Sequence, residues 1–432
     1  MITAAAFAGK TYGIYGLARS GKATVAALAA SGATCLNWDD GDAARAAFDG
    51  ALTNLHDSDL SGLDALIVSP GVPHSAPLFV HATAAGIPVI GDIELFAQAR
   101  PALPPHRVVG ITGTNGKSTT TALIHHILVS AGRAARLGGN IGLPILSQEP
   151  LAPNEHGGGI YVLELSSYQL DLTFSLDCDV AILLNISPDH LERHGSLVAY
   201  AAAKARLFTM LGNGHVAIVE RKAETAHHVL SNADDITIEF IEDVHVGDQS
   251  AWPALQGPHN AQNAAAAIAA CTALGLTEAE IATGLASYPG LPHRMQRVAV
   301  KAGVLWINDS KATNADSSAP ALAAFPRTHW IAGGRPKLAA DGNADLSAVL
   351  PFISDVVAAY LIGEAAPLFA LALAPHLPVR LSGTLETAVA EAAAAARPGD
   401  TVLLSPACAS FDQFRDFEAR GDAFAALVGA LS

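Results

Sequence analysis

Cysteine is scarce in this chain of 432 residues: Cys35, Cys178, Cys271 and Cys408 are the four, and no two form a C-x-x-C pair. That argues against a disulfide frame or a structural zinc site, and it fits a reducing, cytoplasmic setting. Long apolar runs are missing too. The longest candidate, Ala264 to Leu276, is Ala-rich and shorter than the ~18 residues of a membrane span, so no membrane insertion is expected. The N-terminus leads straight into a strand-like stretch rather than a cleavage site. Positive charge is also short: 25 lysines and arginines face 40 acidic residues, a formal net charge of −15. Such an excess disfavours nucleic acid and anionic membranes as partners. Any site for an anionic ligand must therefore gather its few cations locally.

Half of the residues are hydrophobic and 15% are charged, which supplies material for several cores and shows no sign of disorder. At this length two or three domains are expected. Strand-like and helix-like runs alternate throughout, predicting α/β architecture on parallel sheets. In a first block the strands fall at Thr11–Tyr15, Ala33–Trp38, Leu63–Ser69 and Ile87–Ile90, with an Ala-rich helix ending near Gly32. The Pro-rich stretch Arg100–His106 reads as a linker. A second block has strands at Ile160–Leu165 and Val180–Asn185 and runs to Tyr288–Arg294, a Pro/Gly hinge candidate. A third repeats the alternation at Val304–Asn308, His329–Ala332, Val356–Ile362 and Thr401–Ser405. The expected domains are residues 1–92, 93–292 and 293–432.

Residues 110–120, Gly-Ile-Thr-Gly-Thr-Asn-Gly-Lys-Ser-Thr-Thr, carry the most chemistry. A strand containing Val108 and Val109 leads in, and Ala122, Leu123 and Ile124 read as the start of a helix. A polyphosphate needs unobstructed backbone amides, a helix N-terminus, a mobile cation and a hydroxyl beside Mg2+. Gly113, Thr114, Asn115, Gly116, Lys117, Ser118 and Thr119 supply all of them. The strict G-x-x-x-x-G-K-[ST] spacing is not met, since its first glycine falls on Ile111. A nucleoside triphosphate is the ligand these residues fit.

Other candidates sit at strand ends, where open α/β sheets place ligand contacts. Glu164, opening Glu-Leu-Ser-Ser-Tyr-Gln, suits a Mg2+ ligand, and the blander reading of the stretch is a helix N-cap region using Ser166 and Ser167. Asp189 and His190 close a strand with a hard oxygen and an imidazole. Lys204 shares a helical face with Tyr200 and on pattern alone is a solvated lysine. Asn260 and Asn263, in His259-Asn-Ala-Gln-Asn263 ahead of the Ala-rich helix, suit a base or ribose contact or helix capping. His293-Arg294 puts a cation at the hinge. Asn308-Asp-Ser-Lys-Ala-Thr-Asn314, Gly333-Gly-Arg-Pro-Lys337 and Ser405 to Phe417 form three strand-end loops that converge on one sheet edge.

Together these motifs resemble the Mur ligases, ATP-dependent amide-forming enzymes of peptidoglycan precursor synthesis, over nearly the whole chain. Gly-Thr-Asn-Gly-Lys-Ser-Thr, His-Asn-x-x-Asn, His-Arg and Asn-Asp-Ser-Lys-Ala-Thr-Asn occur in the expected order. Leu404–Gly421, Gly91-Asp-Ile-Glu-Leu-Phe96 and Gly138-Gly-Asn-Ile-Gly-Leu-Pro144 resemble the branch that adds D-glutamate. The resemblance implies a Rossmann-like UDP-binding domain, a P-loop-type ATPase domain and a Rossmann-like C-terminal domain. It implies ATP, two Mg2+ sites, UDP-N-acetylmuramoyl-L-alanine and D-glutamate as ligands, and a monomer. By the same resemblance Gly113–Thr119, Asn260, Asn263, Arg294 and Asp309 bind ATP. Ser118, Glu164, His190 and a carbamate on Lys204 hold metal, and Lys117, His190, Lys204 and Lys311 act in catalysis. Arg19, Ser20, Asp39, Ser69, Pro70, Gly71 and Asn140 meet the UDP-sugar; Thr313, Lys337, Ser410 and Phe417 meet D-glutamate. The chain departs from the family at Asp39-Asp-Gly41, where some members carry a cation, and at Tyr168, where Phe is common.

Two rivals come from other classes. A dinucleotide oxidoreductase would explain Gly13, Gly16 and Gly21, but their spacing is not G-x-G-x-x-G and Gly-Lys-Ser would be left idle. A nucleotide-gated switch would not need a second metal site or the three loops of the last block.

Overall fold

The computed structural model describes residues 1–221, 236–336 and 345–431. It divides into two compact units, Met1–His245 with Gln262–Leu285, and Val246–Ala261 with Ala286–Ser432. Among the described residues no helix is long and apolar enough to cross a membrane.

The first unit contains two fully parallel sheets. One has β1 (Thr11–Tyr15), β2 (Thr34–Trp38), β3 (Ala65–Val68) and β4 (Val89–Ile90) in the order β2-β1-β3-β4. The other has β5 (His106–Thr112), β6 (Ala135–Gly139), β7 (Gly159–Glu164), β8 (Val180–Leu183), β9 (Val216–Val219) and β10 (Thr237–Phe240). Its order is β10-β9-β8-β5-β7-β6. Every residue of β3, β7 and β8 is buried, as expected of parallel strands covered by helices on both faces. One apolar cluster runs through both sheets, from Phe7, Ile14 and Leu28 to Val108, Leu163 and Leu183.

The second unit holds β11 (Gln296–Lys301), β12 (Val304–Asn308), β13 (Thr328–Gly333), β14 (Val356–Ile362), β15 (Val379–Gly383) and β16 (Thr401–Leu404), in the order β11-β12-β16-β13-β14-β15. Only β11 is antiparallel, pairing with β12 at the edge. Trp330, Leu361 and Phe369 fill one face of this sheet, and Trp306, Tyr360 and Phe424 the other.

Three expectations need correction. Arg100–His106 is not a free linker: Arg100–Ala102 forms a 3-10 turn, His106 opens β5, and the Arg100 guanidinium donates to His106 Nε2 (3.0 Å) and to the Asp177 carbonyl. The helix after the Gly-rich loop begins at Lys117, not near Ala122, so the loop ends directly on a helix N-terminus. His259–Asn263 lies inside the helix Pro258–Ala273 rather than ahead of it, which removes the capping reading of Asn260.

At the end of β1 the chain turns tightly into the helix Arg19–Ala30. Gly16 has φ +108°, a region closed to side chains, and a Cβ on Gly21 would overlap the Gly16 carbonyl oxygen. Gly21→Ala is therefore expected to cost about 1–3 kcal/mol of stability. Thermal unfolding of the variant, with the exposed Gly62→Ala as a surface comparison, measures it.

Candidate active site

The Gly-rich loop closes β5. Gly113 (φ +146°) and Gly116 (φ +86°) adopt backbone conformations that other residues avoid, and Gly116 caps the helix Lys117–Ser130. The segment after β8 braces the loop: Thr114 N donates to Asn185 O (2.8 Å) and Asn115 N to Asn185 Oδ1 (2.9 Å). Lys117 Nζ folds back onto the carbonyls of Gly113 (2.9 Å) and Thr114 (2.8 Å). Ser118 is buried at the first helical turn and Thr119 follows it. Asn263 lies against the loop, accepting from Thr120 Oγ1 at 3.2 Å, and a Cβ on Gly116 would strike its amide. The result is a helix N-terminus with an ammonium folded beside it, an arrangement suited to phosphate oxygens.

Lys204 is 1% exposed, and its Nζ donates to Gly113 O at 2.8 Å. The sequence suggested a solvated helix lysine; the structure buries it beneath the loop and overturns that reading. Burial, with the neighbouring Lys117 charge second, holds this ammonium well below its ordinary range. Its Nζ also lies 4.5 Å from the centre of the Tyr200 ring, whose hydroxyl donates to Thr114 Oγ1 (3.3 Å).

Glu164 ends β7 and is 2% exposed. Asn140 Nδ2 donates to its Oε1 at 2.9 Å, while its Oε2 is buried with no hydrogen-bond partner. A buried carboxylate oxygen without a donor is costly, and a cation would satisfy it. Ser166 caps the short helix Ser167–Leu170 in a capping box with Gln169, in keeping with the blander reading of this stretch, and Glu164 takes no part in that cap. His190, at φ +52°, is half-exposed; Tyr168 OH lies 3.0 Å from its Nδ1, and Asp189 Oδ2 lies 3.4 Å from its Nε2. Among the described residues no group of three or more His, Cys, Asp or Glu gathers as a metal site. A metal here must draw on hydroxyl, modified-lysine or substrate oxygens as well. Glu164, with its unpartnered oxygen, fits as the carboxylate ligand of such a metal.

The ends of β1 and β3 form a cleft lined by Gly16, Ser20, Gly21, Ser69 and Pro70, with Gly71 next in the chain. Arg19 Nη2 donates to Gly142 O (3.0 Å), which ties this edge to the loop that carries Asn140. Asn140 itself is turned toward Glu164. Asp39 has both carboxylate oxygens engaged, by Leu17 N (2.6 Å) and Gly41 N (2.8 Å).

In the second unit three strand-end loops meet as the sequence suggested. Ser405 Oγ donates to Asp309 Oδ2 (2.7 Å), Gly333 N to Pro406 O (2.8 Å), and Arg335 N to Ala409 O (2.9 Å). Lys311 Nζ sits 3.8 Å from the Phe417 ring centre, and Phe417 O accepts from Ser310 Oγ (2.8 Å). Ser410 is buried and Thr313 half-buried near the same loops. Asn260 Nδ2 donates to Gln256 O at 3.0 Å. Lys337 lies outside the described residues. Burial lifts the Asp309 carboxyl to about 7, against the opposing pull of Ser405, the Met295 amide and Arg294. The unfolded chain gives up this proton near pH 3.9, so the folded state holds more protons between there and about 7. Stability from this residue falls as pH rises through that window, by a few kcal/mol at most. Asp309→Asn is expected to gain more in Tm over the wild type at pH 8 than at pH 5.

Residues 111–271 match the Mur ligase middle domain, and residues 293–408 match the Mur ligase glutamate ligase domain. The UDP-N-acetylmuramoylalanine–D-glutamate ligase of Novosphingobium aromaticivorans is 55% identical, covering all of this chain and 97% of the relative. The chain belongs to the Mur ligase family. The enzyme of the same name from Zymomonas mobilis is 50% identical over the full length of both chains. Among solved structures, the UDP-N-acetylmuramate–alanine ligase of Thermotoga maritima shares the fold, with a TM-score of 0.58 at 16% identity over 98% of this Mur ligase and 99% of that chain.

Sequence reasoning missed two residues of this Mur ligase. Arg420, 1% exposed, donates to Ser310 O (2.8 Å), Ser310 Oγ (3.0 Å) and Cys408 O (3.1 Å), binding two of the converging loops together. Its signal was an arginine one turn into an otherwise apolar helix face. Asp92 opens the helix Asp92–Ala99 and is buried.

Proposed function

We propose that this Mur ligase joins D-glutamate to the alanyl carboxyl of UDP-N-acetylmuramoyl-L-alanine and cleaves ATP to ADP and phosphate in doing so. Similarity along the whole chain to ligases named for that activity carries the reading. The residues supply the chemistry. A carboxylate resists amines because oxide is a poor leaving group. Transfer of the γ-phosphoryl group to the alanyl carboxylate gives an acyl phosphate, the D-glutamate nitrogen attacks its carbonyl carbon, and phosphate leaves with the C–O bond pair. Catalysis is then positioning and charge neutralisation.

In this reading the amides of Gly113–Thr119 cradle the triphosphate and Lys117 leaves its carbonyls for the β- and γ-oxygens. Asn260, Asn263, Arg294 and Asp309 bind the rest of the nucleotide, and Lys311 steadies the transferred phosphoryl group. Ser118 and Glu164 would hold one Mg2+, His190 and Lys204 the second. Bound magnesium would neutralise charge on the phosphate oxygens. For Lys204 to serve, its amine must add carbon dioxide, losing a proton and becoming an anionic carbamate. The buried, proton-poor amine under Gly113 supports this. Arg19, Ser20, Asp39, Ser69–Gly71 and Asn140 take the UDP-sugar, and Thr313, Lys337, Ser410 and Phe417 the D-glutamate. The domains are 1–92, 93–292 and 293–432, in a cytoplasmic monomer.

The experiment is an isotope transfer with an amine screen. Oxygen-18 in the alanyl carboxyl is expected to appear in the released phosphate, and only D-glutamate among candidate amines should give product mass. Label that stays wholly in the product excludes the acyl phosphate; product with another amine reassigns the branch.

A further inference from the structure

The cleft at the ends of β1 and β3 contains one ionisable side chain to which neither the proposed reaction nor the resemblance gives a role. Asp92 lines it together with Gly16, Ser20, Gly21, Ser69 and Pro70, is 6% exposed, and leaves Oδ1 buried without a hydrogen-bond partner. The amides of Ile93 and of Asp92 itself and the Ser20 hydroxyl face the carboxyl and favour its ionised form, but burial outweighs them. No charged group opposes it from the packed elements. On the helix Arg19–Ala30, Arg19 is turned to Gly142 O and Lys22 to Ala47 O; on its own helix, Glu94 is held by the amides of Phe174 and Ser175. Arg100 is turned to Asp177 O and His106, while on β1 Tyr15 bonds to Asp40 and Tyr12 faces Asp64 and Cys35.

A carboxylate at the floor of a cleft read as taking a diphosphate is out of place. Two anions in a poorly solvated pocket repel, whereas a neutral acid offers an O–H donor to a phosphate oxygen. We propose that Asp92 is a ligand-binding residue that donates, as the neutral acid, to the diphosphate of a nucleotide-sugar and takes up its proton when that ligand enters. Resting on the reading of this cleft as the UDP-sugar site, the proposal adds a residue and a proton to it. Burial already lifts the free carboxyl to about 6, and an adjacent anion lifts it further. The sign follows: at pH 7 the free group is mostly ionised and the bound group protonated, so affinity falls as pH rises above about 6. The ligand cannot supply this proton, because a diphosphate diester lacks the second phosphate ionisation near pH ~6.

Calorimetry of the full chain with UDP-N-acetylmuramoyl-L-alanine at pH 7, in two buffers of different ionisation heat, reads the proton directly. Uptake of most of one proton is expected in the wild type. Asp92→Asn, which keeps a donor, should bind within a few-fold and take up none. Infrared difference spectra of the wild type provide a check that needs no variant: a carboxylic-acid C=O band must grow on binding. Equal heats in both buffers, unchanged uptake in Asp92→Asn, or no such band overturns the proposal while leaving the cleft reading intact. No binding at any pH removes both.

Discussion

Lys204→Ala is expected to lose turnover by at least about 10²–10³-fold, with short carboxylates such as acetate or propionate restoring part of it. The side chain is buried beneath the Gly-rich loop, and burial with the Lys117 charge disfavours its ammonium form. That combination is poor for stability and good for nucleophilicity, since only the neutral amine adds carbon dioxide. The carbamate would then present carboxylate-like oxygens where an ammonium would repel a metal. Truncation to alanine leaves a buried slot in the helix Leu197–Thr209 that a small carboxylate can enter. Acetamide, of the same size but uncharged, should not rescue. Phosphate release across a carboxylate series, with circular dichroism confirming the fold, makes the measurement. Full activity without added carboxylate would falsify the role; loss without rescue would reduce Lys204 to a prop for Gly113.

The ends of β1, β12 and β14 coincide with the runs read from sequence because buried parallel strands are continuous apolar stretches between turn residues. The edge strands β6, β11 and β15 escaped notice for the converse reason, although the edge strands β2 and β4 were read and the interior β9 was not. β11, Gln-Arg-Val-Ala-Val-Lys, alternates with partial exposure, and β15, Val-Arg-Leu-Ser-Gly, is mostly exposed. β6 ends in two glycines and has only one fully buried residue. Asn260 and Asn263 were placed before their helix although Pro258 at its first position marked the start. In the site, loops at strand ends were legible because their residue types are rare elsewhere. What was not legible was burial: nothing in Tyr-Ala-Ala-Ala-Lys-Ala-Arg says that Lys204 points under a loop more than ninety residues away in sequence, since that follows from how the sheet stacks its helix. The Tyr168 hydroxyl, which the sequence marked only as a departure from Phe, proves to contact His190.

Lys117 and Lys204 converge on one acceptor, the Gly113 carbonyl, at 2.9 and 2.8 Å. Removing the first charge should therefore have two separable effects. Lys117→Ala loses the cation proposed to neutralise the β- and γ-phosphate oxygens, and kcat is expected to fall by about 10²–10³-fold. UDP-sugar affinity should stay within a few-fold, because the cleft proposed for that ligand is built from the ends of β1 and β3. The second effect acts through Lys204. Lys117 is the largest electrostatic influence depressing its ammonium form, so without that charge Lys204 holds its proton to higher pH and offers less neutral amine. The residual activity of Lys117→Ala should then rise with added bicarbonate and with pH more steeply than that of the wild type. Lys117→Arg keeps the charge and should keep the wild-type bicarbonate response even if its bulkier fork binds ATP poorly. Phosphate release at graded bicarbonate, measured for the three proteins side by side, separates the effects. A flat response in Lys117→Ala would mean that the two lysines act independently, the first on the nucleotide alone.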